Sequence, residues 1–310
     1  MAKKNEKNMD VEAYFLLITS QLEAEGHLST AENYRNTMRS FLSFTGHRPL
    51  SMSEITRETM RDYNNFLSGK GLTRNSVSFY NRVLRAVYNK ALRDGLECTG
   101  PDPFSVSYTG IDKTRKRALD VATLRQIVSL DLSGDTEMAF SRDLFLFSFY
   151  ARGMCFVDMA RLTWQNVHYG TISYIRSKTG RRLNVQVEPC MTEIMQRWRA
   201  ASFGDYVFPI VKSSDPKEAF KDYSYGLRRH DLMLKEIGCL VGSNFPLSSY
   251  AARHSWATLA RDSEVPVSVI SSGMGHTSER TTRIYLAELD NAVVDRANRR
   301  IIELVRDGMD

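Results

Sequence analysis

The sequence predicts a mainly α-helical protein of two domains, the second of which carries a small antiparallel sheet. The chain has 310 residues, a length that favours two domains over one. Apolar residues recur at helical spacing over most of it. The exception is a pair of short strands, about 171–176 and 182–187, separated by the dipeptide Thr179-Gly180, which is typical of a hairpin turn.

Four helices are predicted between residues 10 and 96, where glycines and a proline interrupt the apolar pattern. Ser29 and Glu32 have the spacing of a capping box, so we expect the second helix to begin there. The predicted helices are about Val11–Glu25, a second from Ser29 toward Gly46, about Thr56–Gly69 and about Arg74–Arg93.

The fourth helix carries cations outside its apolar stripe, among them Arg74, Arg82, Arg85 and Lys90. Two interpretations stay open. These side chains form an ordinary solvated face, or they lie against the phosphates of DNA. The net charge of +6 suits a polyanionic partner, although unrelated enzymes can be equally basic.

Residues 97–118 are predicted to link a first domain, 1–96, to a second, 119–310. Gly100, Pro101 and Pro103 disfavour regular structure in this segment. A run of cations near the end of this segment either crosses the DNA backbone or belongs to an ordinary flexible tether. Its cations are Lys113, Arg115, Lys116 and Arg117.

Composition argues against several classes of protein. The four cysteines are widely spaced, so neither a Cys-x-x-Cys metal pair nor a secreted disulfide framework is expected. The N-terminus is polar, unlike a signal peptide, and no apolar run reaches the roughly 18 residues of a transmembrane helix. We therefore expect a cytoplasmic protein with reduced thiols and no membrane partner.

Further helices are predicted from Leu119 onward. One starts near Val121–Thr123, and a strongly apolar helix includes residues 144–150. Tyr206–Phe208 is a candidate short strand, and an amphipathic helix at about Asn291–Val305 ends the chain.

Four side chains of the second domain suit chemistry on a phosphodiester. Tyr285 follows the pair Gly275-His276 by nine residues, Arg253 opens an amphipathic helix, and Lys178 lies at the tip of the hairpin. Cleavage without a metal needs a nucleophile, an acid for the leaving oxygen and cations around the transition state. Arginine donates in pairs to phosphate oxygens, and the helix start after Ser248 also favours an anion. Each residue alone also fits an ordinary structural or surface role.

Together these motifs resemble the tyrosine recombinases of the phage integrase family. The resemblance rests on Ser177-Lys178-Thr179-Gly180, Ala252-Arg253-His254-Ser255, Gly275-His276 and Tyr285, in the family's order and spacing. It implies a helical, SAM-like core-binding domain followed by a mostly α catalytic domain that clamp double-stranded DNA. It also implies a 3′-phosphotyrosyl intermediate, a Holliday junction and a homo-tetramer on two synapsed sites with inverted-repeat cores, in contact with the nucleoid, without cofactor or metal.

Carried over residue by residue, the resemblance makes Tyr285 the nucleophile and Lys178 the general acid. Arg253 becomes the second phosphate-clamping arginine, and His276 becomes a hydrogen-bond donor to the phosphate. The resemblance also suggests that the C-terminal helix docks into a neighbouring protomer; packing on its own domain is the alternative.

Two positions depart from the family pattern. Tyr250 stands where the family usually has histidine, and a phenol is a poor base at neutral pH. The slot of the first arginine falls on Cys155, which is expected to be a small packing residue. We hypothesise that Arg152, one turn earlier if the segment is helical, reaches the same phosphate. This arrangement resembles recombinases of mobile elements and invertible promoters.

The leading hypothesis is therefore a site-specific DNA recombinase. The alternatives are an enzyme like the type IB topoisomerases and a DNA-binding relative that has lost catalysis. Only about ten residues precede the first predicted helix, which leaves no room for an arm-site-binding domain. A simpler enzyme, such as a DNA invertase or a chromosome-resolution recombinase, is therefore favoured over the larger integrases, although some compact integrases also lack that domain.

Overall fold

A computed structural model describes residues 9–98, 100–112, 117–285 and 298, with the backbone alone for 283–285. The chain divides into two compact units, Met1–Thr114 and Arg115–Asp310. The first unit contains α1 (Val11–Ala24), α2 (Leu28–Thr45), α3 (Arg57–Gly69) and α4 (Arg74–Arg93). The second contains α5 (Val121–Ser129), α6 (Thr136–Tyr150), α7 (Phe156–Ala160), β1 (Val167–His168), β2 (Thr171–Ile175), β3 (Arg182–Gln186), α8 (Pro189–Arg199), α9 (Pro216–Leu240), α10 (Ser249–Asp262), α11 (Val267–Gly273) and α12 (Glu279–Tyr285). The prediction of a mainly helical protein with a small antiparallel sheet is confirmed.

The helices of the first unit begin at side chains that cap them. Asp10, Thr56 and Thr73 each accept a hydrogen bond from a backbone amide of the following turn, which starts α1, α3 and α4. Their apolar faces enclose one core, in which the rings of Phe41 and Tyr63 meet edge to face with centroids 5.0 Å apart. The predictions for these three helices are confirmed to within a residue or two.

The second predicted helix is confirmed as α2, but its predicted capping box at Ser29 and Glu32 is wrong. The helix begins at Leu28 after His27, and Glu32 binds Arg35 instead of completing a capping box with Ser29. The cause lies in the preceding turn, where the amide of His27 donates to the carbonyl of Leu22 and closes α1. The turn that closes α1 ends at His27, and α2 begins at the next residue.

Residues 102–112 are bound to the surface of α3 and α4. Asn75 exchanges two hydrogen bonds with the backbone of Asp112, at 2.7 and 3.0 Å, and Ser78 donates to the carbonyl of Gly110 at 2.5 Å. One turn further, Asn81 donates to the carbonyl of Tyr108 at 3.2 Å. The segment also contains one 3₁₀ turn, Pro103–Val106. Residues 102–112 are therefore held against the first unit, and the predicted linker of residues 97–118 stays a prediction.

The second unit is built around α6, which packs against α5, α8, α9 and α10. Phe147 of α6 meets Phe208 edge to face, with centroids 4.8 Å apart. Asp143 of the same helix is 1% exposed and accepts hydrogen bonds from the side chains of Arg142, Arg197 and Trp198. This carboxylate therefore joins α6 to α8 through charge-assisted bonds.

The sheet is antiparallel in the order β1-β2-β3, with Ile172 paired with Val185. Both of these side chains face the core, as alternation along the strands requires. The predicted hairpin is confirmed. The predicted strand at Tyr206–Phe208 is wrong, because Tyr206 makes a single bridge with Thr163.

The predicted helices near 121 and across 144–150 are confirmed as α5 and α6. The predicted helix at 291–305 lies outside the described residues, apart from residue 298. Within the described part of the chain, no helix combines the length and the apolar character needed to cross a bilayer.

Candidate active site

Residues 273–276, at the end of α11 and in the turn before α12, are contacted by Arg253, by Arg152 and by the hairpin that carries Lys178. Gly275 has φ of +64°, a conformation that glycine adopts without strain. A Cβ added there would lie 2.8 Å from Cδ1 of Leu183 and 3.2 Å from Cδ of Arg176. Glycine is therefore required twice at this position, by the backbone angle and by the close approach of the hairpin.

Arg253 enters this turn from α10 and is only 3% exposed. Its Nη1 donates to the carbonyl of Gly153 at 2.6 Å, and its Nη2 donates to the carbonyl of Met274 at 2.7 Å. Nη2 also lies 2.9 Å from Nε2 of His276. Three polar contacts thus hold the guanidinium in place.

His276 is 2% exposed and is held between Arg253 and Thr282 of α12. An arginine can only donate, so Nε2 of the imidazole accepts from Arg253 and the proton resides on Nδ1. Nδ1 therefore donates a hydrogen bond to Oγ1 of Thr282, at 2.8 Å. Burial, together with the charges of Arg253, Arg176 and Lys178, lowers the pKa of His276 to about 4. The imidazole is therefore neutral at neutral pH.

Arg152 lies in a non-helical turn between α6 and α7, which corrects the idea of a helical turn linking it to Cys155. Its φ is +59° and that of Gly153 is +75°, so two left-handed residues redirect the chain there. The aliphatic Cδ of Arg152 approaches Gly273, and its Nη1 lies 3.4 Å from the carbonyl of Asn184. The structure thus brings Arg152 to the same turn as Arg253.

Cys155 stands at the start of α7 with a half-buried, free thiol. Asp158, in the first turn of that helix, is 4% exposed and accepts a hydrogen bond from the amide of Ser177 at 2.8 Å. One side of the hairpin tip is therefore fixed to α7.

The hairpin presents Lys178 as an exposed side chain next to the turn. The other side of the tip is held by Arg176, whose Nη1 donates to the carbonyl of Gly275 at 2.8 Å. Thr179 donates to the same carbonyl at 3.3 Å, and Arg181 donates to the carbonyl of His276. The loop that carries Lys178 is thus attached directly to the Gly-His turn.

Tyr250 lies in the first turn of α10 and is 45% exposed, with its ring 6.3 Å from that of His254. The side chain of Ser248 makes no capping hydrogen bond. Instead, Asp231 of α9 accepts from the amide of Ser249 at 2.7 Å. One amide of this helix start is therefore already paired with a carboxylate, and the attraction of phosphate to the helix start stays a prediction.

Tyr285 is the last residue of α12, one turn after Thr282, and its side chain lies outside the described part of the structure. Helical spacing places the two residues on the same face of α12. The predicted nucleophile Tyr285 therefore lies on the same short helix as Thr282, which binds His276.

The predicted DNA-binding cations differ in their surroundings. Arg74 stacks 3.9 Å above the ring of Tyr108 and pairs with Asp112 at 3.5 Å, while Arg85 pairs with Asp102 at 3.4 Å. The others are Arg82 and Arg117, both exposed, and Lys90, half-buried. Lys113, Arg115 and Lys116 lie outside the described residues.

Two residues of the site were missed by the sequence interpretation. Arg176 was placed at the end of a strand, where an arginine is usually exposed, yet it is 3% exposed and contacts a residue 99 positions away. Thr282 belongs to none of the sequence motifs, although it lies between His276 and Tyr285. Only its distance from Tyr285, three residues along a helix, could have singled it out.

Both units of the chain match known protein families. The description "Phage integrase SAM-like domain" matches residues 11–105, and "Phage integrase family" matches residues 119–292. The tyrosine recombinase XerD of Halalkalibacterium halodurans is 23% identical over 265 residues, which cover 83% of this chain and 86% of that protein. The two matched families follow each other along the chain in the same order as the two compact units.

Solved structures share the fold. A lambda integrase dimer bound to a COC′ core site matches with a TM-score of 0.65 at 15% identity, covering 91% of this chain and 98% of that one. The Tn1549 transposon integrase in complex with a circular intermediate DNA matches with a TM-score of 0.63 at 15% identity, covering 93% and 99%. The phage integrase match alone spans more than half of the sequence. The chain therefore belongs to the phage integrase family of tyrosine recombinases.

Proposed function

We propose that this protein recombines DNA at specific sites by cutting and rejoining strands through Tyr285. The observation that carries the proposal is the meeting of Arg253, His276 and the Lys178 hairpin at one buried turn, with Arg152 beside it. These groups come from distant parts of the chain, and together they supply the cations and hydrogen bonds that a phosphorane-like transition state needs.

In the proposed reaction the phenol oxygen of Tyr285 attacks the phosphorus atom and the bond to the 5′-oxygen breaks. Lys178 gives its proton to that leaving oxygen, and the phenol proton passes to solvent or to a neighbouring base. The product is a 3′-phosphotyrosyl ester and a free 5′-hydroxyl. A 5′-hydroxyl from a second DNA strand then reverses the same steps, so the exchange uses no cofactor and no metal ion.

Arg253 and Arg152 are proposed to hold the two non-bridging phosphate oxygens. Arg253 is already aimed by two carbonyls, so its position changes little when the phosphate arrives. Arg152 reaches the turn from a left-handed residue in place of the family's arginine at the Cys155 slot. Tyr250 takes the place of the usual histidine and contributes a single phenolic hydrogen bond.

His276 is proposed to donate to the phosphate from Nε2. That nitrogen accepts from Arg253 in the structure, so the proposed role requires the other tautomer. The hydroxyl of Thr282 can donate to Nδ1 as readily as it accepts, and it therefore supports both tautomers. When Nη2 of Arg253 donates its hydrogen bond to the phosphate instead, Nε2 of His276 no longer accepts that bond and can carry a proton itself.

A nicked suicide substrate, from which the cut strand diffuses away, tests the chemistry. Wild-type protein should accumulate a covalent DNA adduct, and Tyr285→Phe should form none while binding the same DNA. Arg253→Ala and Arg152→Ala should each slow adduct formation by about 100-fold or more, because each removes a cation from the transition state. Normal cleavage by Arg152→Ala would show that another cation serves.

The same assay addresses the two alternatives. A DNA-binding relative without catalysis would bind the site and leave no adduct in the wild type. An enzyme like the type IB topoisomerases would form the adduct and relax supercoils on DNA with no paired sites. Conversion of a plasmid with two sites into an inverted or excised product is expected only from a recombinase.

The proposed assembly is a homo-tetramer on two synapsed core sites with inverted repeats. Support comes from the shared fold, since a solved lambda integrase tetramer is bound to a Holliday junction and matches this chain with a TM-score of 0.64 at 14% identity. Inversion and integration or excision are the biological reactions proposed. The orientation of the two sites in the plasmid assay distinguishes them by product.

A further inference from the structure

We propose that Arg176 is a positioning residue that holds Lys178 in place for proton transfer to the leaving oxygen. This inference rests on the proposed function, because it concerns the same reaction. It begins from the burial of the side chain. Arg176 is 3% exposed, and its Nε is a buried donor with no hydrogen-bond partner among the described residues. Burying a guanidinium in this way destabilises the fold unless its contacts offset the lost hydration.

The contacts of Arg176 are concentrated on the loop that carries Lys178. Its backbone carbonyl accepts from the amides of Thr179 and Gly180, at 3.2 and 2.9 Å, and its own amide donates to the carbonyl of Arg181 at 2.8 Å. These bonds close the tip of the hairpin as a tight turn. Lys178 lies at the middle of that turn, two residues from Arg176.

The side chain of Arg176 then fixes this closed tip to the catalytic turn. Its Nη1 donates to the carbonyl of Gly275 at 2.8 Å, next to His276. Thr179 and Arg181 add hydrogen bonds to the carbonyls of Gly275 and His276, and Asp158 holds the amide of Ser177 from the opposite side. Of these groups, Arg176 is the most buried cation.

The hydrogen bonds of Arg176, Thr179 and Arg181 hold the docked tip beside the imidazole of His276, whose pKa is lowered mainly by burial. The charges of both Arg176 and Lys178 contribute to the low pKa of His276. A lysine on an undocked hairpin would spend most of its time in solvent, where its proton is far from the leaving oxygen. Docking shortens that search, and correct positioning of a catalytic group accounts for large rate factors.

A substrate with sulfur in place of the bridging 5′-oxygen provides the test. A thiolate leaves without a proton, so a defect in proton donation disappears on the sulfur substrate while other defects persist. Arg176→Met should cleave the oxygen substrate about 100-fold more slowly than wild type and the sulfur substrate within a few-fold of wild type. Lys178→Ala should show the same pattern, and Arg253→Ala should be slow on both substrates.

The matched control is Arg182→Met, which removes an exposed arginine from the same hairpin and should leave both rates unchanged. If Arg176→Met does not fold, the double variant T179V/R181M removes the other two bonds to the turn and should show the same rescue. Slow cleavage of both substrates by these variants, with rescue of Lys178→Ala intact, overturns the role of Arg176. Failure of sulfur to rescue Lys178→Ala would instead overturn Lys178 as the general acid.

Discussion

Gly153 lies directly against Arg253, and the contact leaves no room for a side chain. A Cβ added at Gly153 would lie 2.7 Å from Cγ and 2.8 Å from Cα of Arg253, and the carbonyl of Gly153 accepts the 2.6 Å hydrogen bond from its guanidinium. The absence of a side chain at residue 153 therefore sets the position of an arginine on which the proposed reaction depends.

Gly153→Ala should displace Arg253 and slow cleavage by about 100-fold, since a shift of about 1 Å in a catalytic group has that effect. The matched control is Gly242→Ala, which has the same left-handed φ but nothing within 4 Å of the added Cβ. This variant should lose only roughly 1 kcal/mol of folding stability, because the alanine strains the left-handed backbone. Single-turnover cleavage and thermal unfolding of both variants measure the difference. Equal cleavage rates would mean that the contact does not matter.

Thr282→Val should impair catalysis, whereas Thr282→Ser should not. Valine keeps the shape of threonine but leaves Nδ1–H of His276 buried without its acceptor, at a cost of about 1–3 kcal/mol. We expect the valine variant to cleave 10- to 100-fold more slowly, since the activation free energy rises by about this cost. We also expect ¹⁵N NMR spectra of the valine variant to show a changed tautomer of His276. Identical spectra for the valine and serine variants would rule out this role.

The low pKa of His276 predicts a stability that decreases in acid. The unfolded chain binds a proton near the ordinary value of 6.5, whereas the folded protein resists protonation down to about 4. The contribution of neutral His276 to the free energy of unfolding is therefore complete above pH 6.5 and is lost as the pH falls toward 4. His276→Gln should remove on the order of 2 kcal/mol of this decrease. Urea unfolding of both proteins from pH 7.5 to 4.5 measures it; parallel curves contradict it.

Asp143→Ala should destabilise the second unit by about 3–5 kcal/mol, because Arg142 and the indole N–H of Trp198 lose a buried charged partner. Glu218→Gln, in an exposed ion pair with Lys221, is the control and should change stability by less than about 1 kcal/mol. Denaturant unfolding gives both values. Similar losses for the two variants would indicate that Asp143 makes no special contribution.

Asn81→Ala should loosen the segment that follows α4. The residue donates both to Asn64 at 2.7 Å and to the carbonyl of Tyr108 at 3.2 Å, and it is fully buried. We expect amide hydrogen exchange in residues 107–112 to become about 10-fold faster, equivalent to a loss of about 1.4 kcal/mol. Asn89→Ala changes an exposed asparagine of the same helix and should leave exchange as it is. Unchanged exchange in Asn81→Ala would mean that the hydrogen bonds from Asn75 and Ser78 are enough to hold the segment in place.

The local signals in the sequence were strong enough to place most of the fold. Periodic apolar residues and side-chain caps specify α1, α3 and α4, and the Thr-Gly turn specifies the hairpin. The capping box at Ser29 and the strand at Tyr206–Phe208 were wrongly predicted because neighbouring elements, rather than local preference, decide the structure there. A strand of one bridge carries too few residues to alternate.

The candidate site divides in the same way. Residues recognised by spacing, such as Arg253 and His276, meet as expected. Arg152 reaches the turn by a left-handed backbone that no spacing rule anticipates, since such angles are rare outside glycine. Arg176 was overlooked because its burial is created by Gly275, a partner far away in the sequence. Long-range contacts of this kind follow from the assembled fold.

The cations that converge on the Gly-His turn have a consequence for the lifetime of the protein. Burial and the nearby cations together keep the pKa of His276 low, and the like charges of Arg253, Arg176 and Lys178 also repel one another. A bound phosphate relieves that repulsion, and any ligand selective for the folded state adds to its stability by mass action. We therefore expect a copy away from its target to unfold and be degraded sooner than one engaged with it.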